Sequence, residues 1–252
     1  MNFNAQKVLI TGGARGIGRA TALAFARAGA QVAINYRSNH EAAQNTLTAL
    51  EGQGHLLLPA DLGDPTATAK LFQKLQSHWK TLDVLVNNAG VYLPHPIFDS
   101  SYAEWQNAWQ RTLQVNLTGV ANTTYWAARL MRQNGGGRIV NVSSRGAFRG
   151  EPDHPAYAAS KAGLNAMSQS LARALAPDRI FIGVVAPGFV ETEMAQPLLQ
   201  GPEGAAIRAQ SPLGRVASPE EVAWNILFLA SEQSAFNTGA ILDLNGASYL
   251  RS

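Results

Sequence analysis

The chain has no cysteine. That absence removes disulfides, thiol nucleophiles and thiolate zinc sites together. Histidine does not fill the gap: His40, His55, His78, His95 and His154 are scattered, with no pair at metal-ligand spacing, so no metal site is expected. Charge is sparse, at 15% of residues. The net charge of +3 comes from dispersed basic residues rather than the clustered stripe that nucleic-acid binding needs. Long apolar runs are also missing, and none approaches the roughly eighteen residues that would span a bilayer. Met1 to Lys7 lacks the basic-then-apolar pattern of a secretory signal. These absences lead to the expectation of a soluble cytoplasmic protein that binds neither nucleic acid nor membrane. They leave apolar material in quantity: 46% of 252 residues, which suits one large domain or two small ones. There is no internal repeat, low-complexity tract or linker-like run.

Strand and helix patterns alternate from the start. Lys7 to Ile10 reads as a buried strand, and Thr11-Gly12-Gly13-Ala14-Arg15-Gly16-Ile17-Gly18 follows at once. Helical periodicity then runs from Arg19 to Ala28 and stops at Gly29. Strand, glycine-rich turn and helix together form the context of a dinucleotide site. Glycine lets the backbone approach a pyrophosphate, and the helix N-terminus offers free N–H groups to it. Gln31 to Tyr36 reads as the second strand, ending at Arg37. An acidic residue at that position would bind a ribose hydroxyl. Arg37 and Arg15 offer positive charge instead, which suits a ribose 2′-phosphate.

Further strands are expected at His55–Leu58 (leading to Asp61-Leu62), Leu82–Val86, Arg138–Val142, Ile180–Val185 and Ile241–Leu244. Helices are expected at 39–50, 65–79, 102–132, about 155–175 and 219–230, the last capped by Ser218. Asn116-Leu117-Thr118-Gly119 interrupts the 102–132 helix, where Asn and Gly are costly, so a polar task or a bend is expected there. Residues 190–208 read as an irregular helical lid. Seven strands alternating with helices imply one doubly wound parallel α/β sheet with helices on both faces, a single domain over residues 1–252. Ligands of such sheets sit beyond the C-terminal strand ends. The glycine turn, Arg37, Asp61, Asn88-Ala89-Gly90, Ser144 and Pro187-Gly188 all fall at such ends.

Tyr157 and Lys161 are four apart in an Ala- and Ser-rich helical segment, so they share one face. An ammonium beside a phenol favours the phenolate, and the spacing predicts a lowered Tyr157 pKa. Such a group is a proton donor suited to acid–base work near neutral pH.

Taken together, these residues resemble the short-chain dehydrogenase/reductase family over essentially the whole length. The matching motifs are Thr11-Gly12-x-x-x-Gly16-x-Gly18, Asn87-Asn88-Ala89-Gly90, Asn116, Ser144, Tyr157-x-x-x-Lys161 and Pro187-Gly188 with Thr192. The resemblance implies a Rossmann fold and a nicotinamide dinucleotide, NADP(H) in preference to NAD(H). The implied cofactor contacts are Gly12, Arg15, Gly16, Ile17, Gly18, Arg37, Asp61, Leu62, Asn88, Ala89 and Gly90. At the reactive end they continue with Tyr157, Lys161, Pro187, Gly188, Val190 and Thr192. The implied catalytic set is Tyr157 as proton donor, Lys161 tuning it, Ser144 holding the substrate oxygen (with Ser143 as rival) and Asn116 supporting a water-linked proton relay. A catalytically silent nucleotide-binding sensor would not need these four together. The extended branch acting on nucleotide sugars fits less well, and so do the enoyl reductases, which space their Tyr and Lys further apart.

Within the family, Tyr157 to Leu164, Val185 to Thr192 and Leu242 to Gly246 look like 3-oxoacyl thioester reductases. One departure concerns the carrier protein that delivers their substrate. Where such reductases often carry basic residues, this chain has Gly135 and Asp178, with Arg132 and Arg179 nearby. A reductase of free ketones, secondary alcohols or sugars is the neighbouring expectation. The resemblance also implies a homotetramer, with Trp105, Trp109 and Trp126 in one interface region.

Overall fold

A computed structural model describes residues 1–251. The described chain runs β1 (Lys7–Ile10), α1 (Gly16–Arg27), β2 (Gln31–Tyr36), α2 (His40–Thr48), β3 (Leu56–Pro59), α3 (Pro65–His78) and β4 (Val84–Asn87). It continues with α4 (Tyr102–Leu113), α5 (Gly119–Gln133), β5 (Gly137–Val142), α6 (Gly146–Arg149) and α7 (Pro155–Leu175). The last elements are β6 (Ile180–Pro187), α8 (Gln196–Gln200), α9 (Gly204–Ala209), α10 (Pro219–Ala230) and β7 (Ile241–Leu244). The strands form one seven-stranded sheet in the order β3-β2-β1-β4-β5-β6-β7. Every pairing is parallel. The order reverses between β1 and β4, which opens a crevice at their C-terminal ends.

The strands read as unbroken apolar runs because both sheet faces are covered. Successive side chains point to opposite faces. Val8 and Ile10 therefore join the core under α1 and α10, while Leu9 between them joins the core under α3, α5 and α7. The expected boundaries hold to within about three residues, close to the usual scatter at element ends. Strand β3 starts at Leu56, β4 starts at Val84, and α1 starts at Gly16 rather than Arg19. Ser218 caps α10 as expected: its hydroxyl accepts from the Glu221 N–H, and the Glu221 carboxylate accepts from the Ser218 N–H at 2.8 Å. Ser101 and Glu104 form the same reciprocal cap on α4.

The interruption between α4 and α5 is a π-helical segment, Gln114–Thr118, with Asn116 fully buried inside it. The extra residue in the turn rotates Asn116 inward. Its amide oxygen accepts from Val91 N–H at 2.8 Å, and its amide nitrogen donates to Val91 C=O at 2.9 Å and to Ser160 Oγ at 3.3 Å. A second buried network crosses the sheet where Asn87 and Asn141 pair in register. Asn87 donates to Asn141 at 2.9 Å, Thr123 donates to Asn87 at 2.7 Å, and Asn141 donates to Ser168 at 2.8 Å. These contacts tie β4 and β5 to α5 and α7 below the crevice. The three tryptophans of the expected interface region are all half-buried: Trp126 packs against Phe72 at the edge of the core, and Trp105 and Trp109 surround His95.

Candidate active site

The crevice is a cleft of about 650 Å³ along the C-terminal strand ends. Gly12, Arg15, Gly16 and Ile17 form one wall, and Arg37, Asp61 and Leu62 form the far edge. Asn88, Ala89 and Gly90 make the floor; Ser144, Tyr157 and Lys161 close the opposite end under Pro187, Gly188, Val190 and Thr192. Two expected residues lie behind the lining. Gly18 packs helix against strand: a Cβ there would sit 2.2 Å from the Gly12 carbonyl oxygen and 2.6 Å from Asn88 Nδ2. Asn116 is the other. Its side-chain amide is bonded to the Val91 backbone and to Ser160. Asn116 acts as a clamp that fixes the Val91 backbone at the cleft floor.

The turn fits a dinucleotide. Gly12 has φ +62°, a conformation that side chains disfavour, and a Cβ there would lie 3.0 Å from Ala89 Cα. Asn88 locks the turn by donating to Thr11 C=O at 3.0 Å and Gly12 C=O at 3.1 Å. No side chain caps the N-terminus of α1 and its first turn holds no acidic residue, so its N–H groups face the cleft free for an anion. Arg37 is exposed at the cleft edge. Among the described residues no carboxylate lies within ion-pair distance of it. Arg15 also lines the cleft, and its guanidinium is paired with Glu193 of the lid segment at 2.7 Å in an exposed ion pair. The Asp61 carboxylate is held by Gly63 N–H at 2.9 Å and by Arg111 at 2.8 and 3.0 Å. Burial pushes the Asp61 pKa up, but these donors outweigh it and leave the pKa below the usual carboxylate value. Arg111 also lines the cleft, and nothing in its sequence position on α4 signals this.

At the other end, α7 carries Tyr157 and Lys161. Pro at its first position and a run rich in Ala, Leu and Ser suit a long helix, and the single glycine inside it, Gly163, faces the Leu117 side chain. The Lys161 ammonium is buried, donates to Val142 C=O at 2.7 Å and stands 5.7 Å from the Tyr157 ring centre. The expected acidification of Tyr157 is overturned. Burial pushes the phenol up to about 12, the nearby Ser144 hydroxyl opposes the rise, and the Glu151 charge adds to it. Burial also pulls Lys161 down to about 8. The four-residue spacing brings the cation close but does not keep water around either group, and desolvation penalises both charged forms.

Between the two serine candidates the structure distinguishes clearly. Ser143 is buried, and its hydroxyl donates to Lys161 C=O at 3.4 Å. Ser144 lines the cleft beside Tyr157, with its hydroxyl accepting from Gly146 N–H at 3.0 Å. Tyr92 meets the Tyr157 ring edge-on at 4.8 Å and stacks on His154 at 3.6 Å. Its hydroxyl points to the Glu151 carboxylate at 3.5 Å. Glu151 is largely buried in the cleft wall, where burial raises its pKa against the pull of Arg149 and Arg145. Tyr92 and Glu151 belong to none of the sequence motifs, and the contacts of Tyr92 with Tyr157 and Glu151 are visible only in the fold. A half-buried phenol beside an ammonium and a hydroxyl, opposite a turn shaped for a dinucleotide, can pass a proton to a carbonyl oxygen placed between Tyr157 and Ser144.

Comparison with known proteins agrees with this geometry. A family model described as "Enoyl-(Acyl carrier protein) reductase" matches residues 12–246. The 3-oxoacyl-(acyl-carrier-protein) reductase FabG of Escherichia coli is 36% identical over 99% of this chain and 100% of its own. The enzyme of the same name from Thermotoga maritima is 38% identical over 98% of both chains. A cis-4-hydroxycyclohexanecarboxylate dehydrogenase of Sinomonas cyclohexanicum is also 38% identical, over 97% of this chain and 96% of its own. The substrates named for these relatives differ, whereas the reaction at a carbonyl or hydroxyl carbon recurs in their names.

Proposed function

We propose, from the premise that the chain belongs to the short-chain dehydrogenase/reductase family and is a short-chain oxidoreductase of the CH–OH/C=O group, that it reduces a 3-oxoacyl thioester with NADPH. The observation that carries this reading is the meeting of Ser144, Tyr157 and Lys161 at one end of a cleft whose other end is the glycine turn. The nicotinamide supplies the hydride. Gly12 and Gly16 with the open end of α1 would receive the pyrophosphate, and Arg37 the 2′-phosphate. Ser144 holds the substrate oxygen, and Tyr157 gives it a proton. Lys161 stabilises the phenolate left behind. The raised phenol pKa keeps Tyr157 protonated at neutral pH, the form a proton donor needs. Met194 and Leu198, exposed on the lid segment, and Leu93 give the substrate end an apolar roof suited to an acyl chain.

A second reading, a reductase of free ketones or a dehydrogenase of secondary alcohols, is favoured by one observation. Arg132 is paired with Asp178 at 3.0 Å, and Arg179 donates to Gly135 C=O at 3.0 Å. The cations near the expected carrier-protein surface are therefore engaged within the chain. Turnover of NADPH with a panel of acyl thioesters, free ketones and nucleotide sugars separates the readings. Thioester turnover supports the first and ketone turnover alone the second; turnover of nucleotide sugars alone would overturn both.

We further propose one domain over residues 1–252, a cytoplasmic location and a homotetramer. No described helix is long and apolar enough to cross a membrane. An exposed apolar face at α10 and the segment after it supports assembly: Trp224 stacks on Phe228 at 6.1 Å, and Phe236 is fully exposed. Light scattering that gave only monomer at micromolar concentration would remove the tetramer.

A further inference from the structure

Arg145 has no part in the chemistry described so far. It follows Ser144 directly and is only 3% exposed. It lies where the cleft meets a second cavity of about 160 Å³ beneath the lid segment, and Phe189 is the other residue common to both. Its guanidinium donates to Ser248 Oγ and, at 2.9 Å, to Gln210 Oε1, and it stands 5.4 Å over the Phe189 ring. Both hydrogen-bond partners are neutral. Among the described residues no carboxylate lies within ion-pair distance of it. The one carboxylate that acts on it from further away, Glu151, is closer to Arg149, at 3.9 Å. Arg215, the other cation on the second cavity, is matched by Glu221 at 2.7 Å.

A guanidinium stays charged even when burial pulls on its pKa. A buried charge without a counter-charge is costly, and the deficit is removed by an anion in contact with it. The planar fork of N–H donors matches a carboxylate in two parallel hydrogen bonds. A cavity of this size has room for a carboxylate with a few methylene groups, at about 30 Å³ per displaced water.

We propose that Arg145 receives a carboxylate on the substrate, so that the compound reduced at Tyr157 is an oxo acid whose charged end reaches the junction of the cleft and the second cavity. The proposal rests on the carbonyl-reductase reading shared by both functions above and sides with its free-ketone form, because a 3-oxoacyl thioester has its own carboxyl masked.

The test compares 4-oxopentanoate with its methyl ester under NADPH turnover, and pentanoate with pentanamide by calorimetry, which reads binding without chemistry. The wild type should favour the acid over the ester by at least about tenfold in kcat/KM, mostly through KM, and pentanoate over pentanamide by a similar factor. Arg145→Met should bring both ratios close to one. Glu151→Gln, which leaves Arg145 in place and removes the nearest competing charge, should raise them. Equal handling of acid and ester with no calorimetric preference would overturn the Arg145 proposal while leaving the reductase reading intact. A calorimetric preference lost in Arg145→Met, without turnover of any carbonyl, would support Arg145 and bring down the reductase reading instead. Binding of inorganic phosphate in place of pentanoate would overturn the carboxylate as the ligand.

Discussion

The two ends of the cleft are built from different materials. At the β1–β2 end the walls are mostly backbone: the Gly12 turn, the Gly18 contact and the uncapped start of α1, braced by the neutral amide of Asn88. At the β5–β6 end the walls are side chains, several of them ionisable and poorly hydrated: Tyr92, Arg145, Glu151, Tyr157 and Lys161. A backbone cradle is tuned to a ligand of constant shape. A buried set of charges is sensitive to the identity of the molecule placed among them, because each desolvated group depends on its neighbours. On the proposed function, the first end would recognise the common part of the reaction, and the second would select what is special to this protein.

Substitutions at the two ends should therefore fail in different ways. The largest effect at the cradle end is expected from Arg37→Asp. A charge-assisted contact to the 2′-phosphate is worth about 1.5–3 kcal/mol, a 10- to 150-fold preference for NADPH. The variant should lose or reverse it in kcat/KM for the two cofactors. An unchanged preference would show that β2 does not read the phosphate.

Gly18→Ala places a Cβ against the Gly12 carbonyl and the Asn88 amide. Overpacking of this kind costs about 1–3 kcal/mol. It should lower the thermal midpoint by several degrees and weaken NADPH binding, and a calorimetric scan matching wild type would refute the packing argument.

At the substrate end the sharper probe is pH. Lys161 is held at about 8, so its charge is present below that pH and lost above it, while Tyr157 at about 12 stays protonated throughout. Carbonyl reduction should be flat from mildly acidic pH to about 8 and then fall by up to about tenfold per unit. Alcohol oxidation, which needs the phenolate, should rise with pH over the neutral range. A reduction rate that rose above pH 8 would mean that the Lys161 charge does not assist. The smallest effect belongs to Glu193→Gln. Releasing Arg15 from its exposed pair should tighten NADPH binding by no more than about fivefold, the usual limit for such bridges; a weaker binding would assign Glu193 to the cofactor contact itself.

The same division explains what the sequence could convey. The seven strands were readable because strands covered on both faces are apolar throughout, and the glycine turn because its spacing is local. Ser218 announced its helix, and Asn116 stood out as a polar residue where a helix tolerates it badly. The acidity of Tyr157 was not readable. Spacing reports that Lys161 is near, but the depth of both groups depends on β5, α6 and the lid, which meet them only in three dimensions. The Arg111–Asp61 pair joins residues fifty positions apart, and the Asn87–Asn141 bond depends on the register of two strands. Arg145 looked like an ordinary loop arginine next to a serine, and its isolation from carboxylates is visible only in the fold.

The most direct test of the whole account is Tyr157→Phe, which removes one hydroxyl from the substrate end and leaves the cradle untouched. Turnover of the reducible carbonyl should fall by at least about 10²-fold, within the range of general acid catalysis, while the dissociation constant for NADPH stays at its wild-type value. Retention of more than about a tenth of the activity would contradict the assignment of Tyr157 as the proton donor. Loss of NADPH binding together with activity would contradict the separation of the two ends.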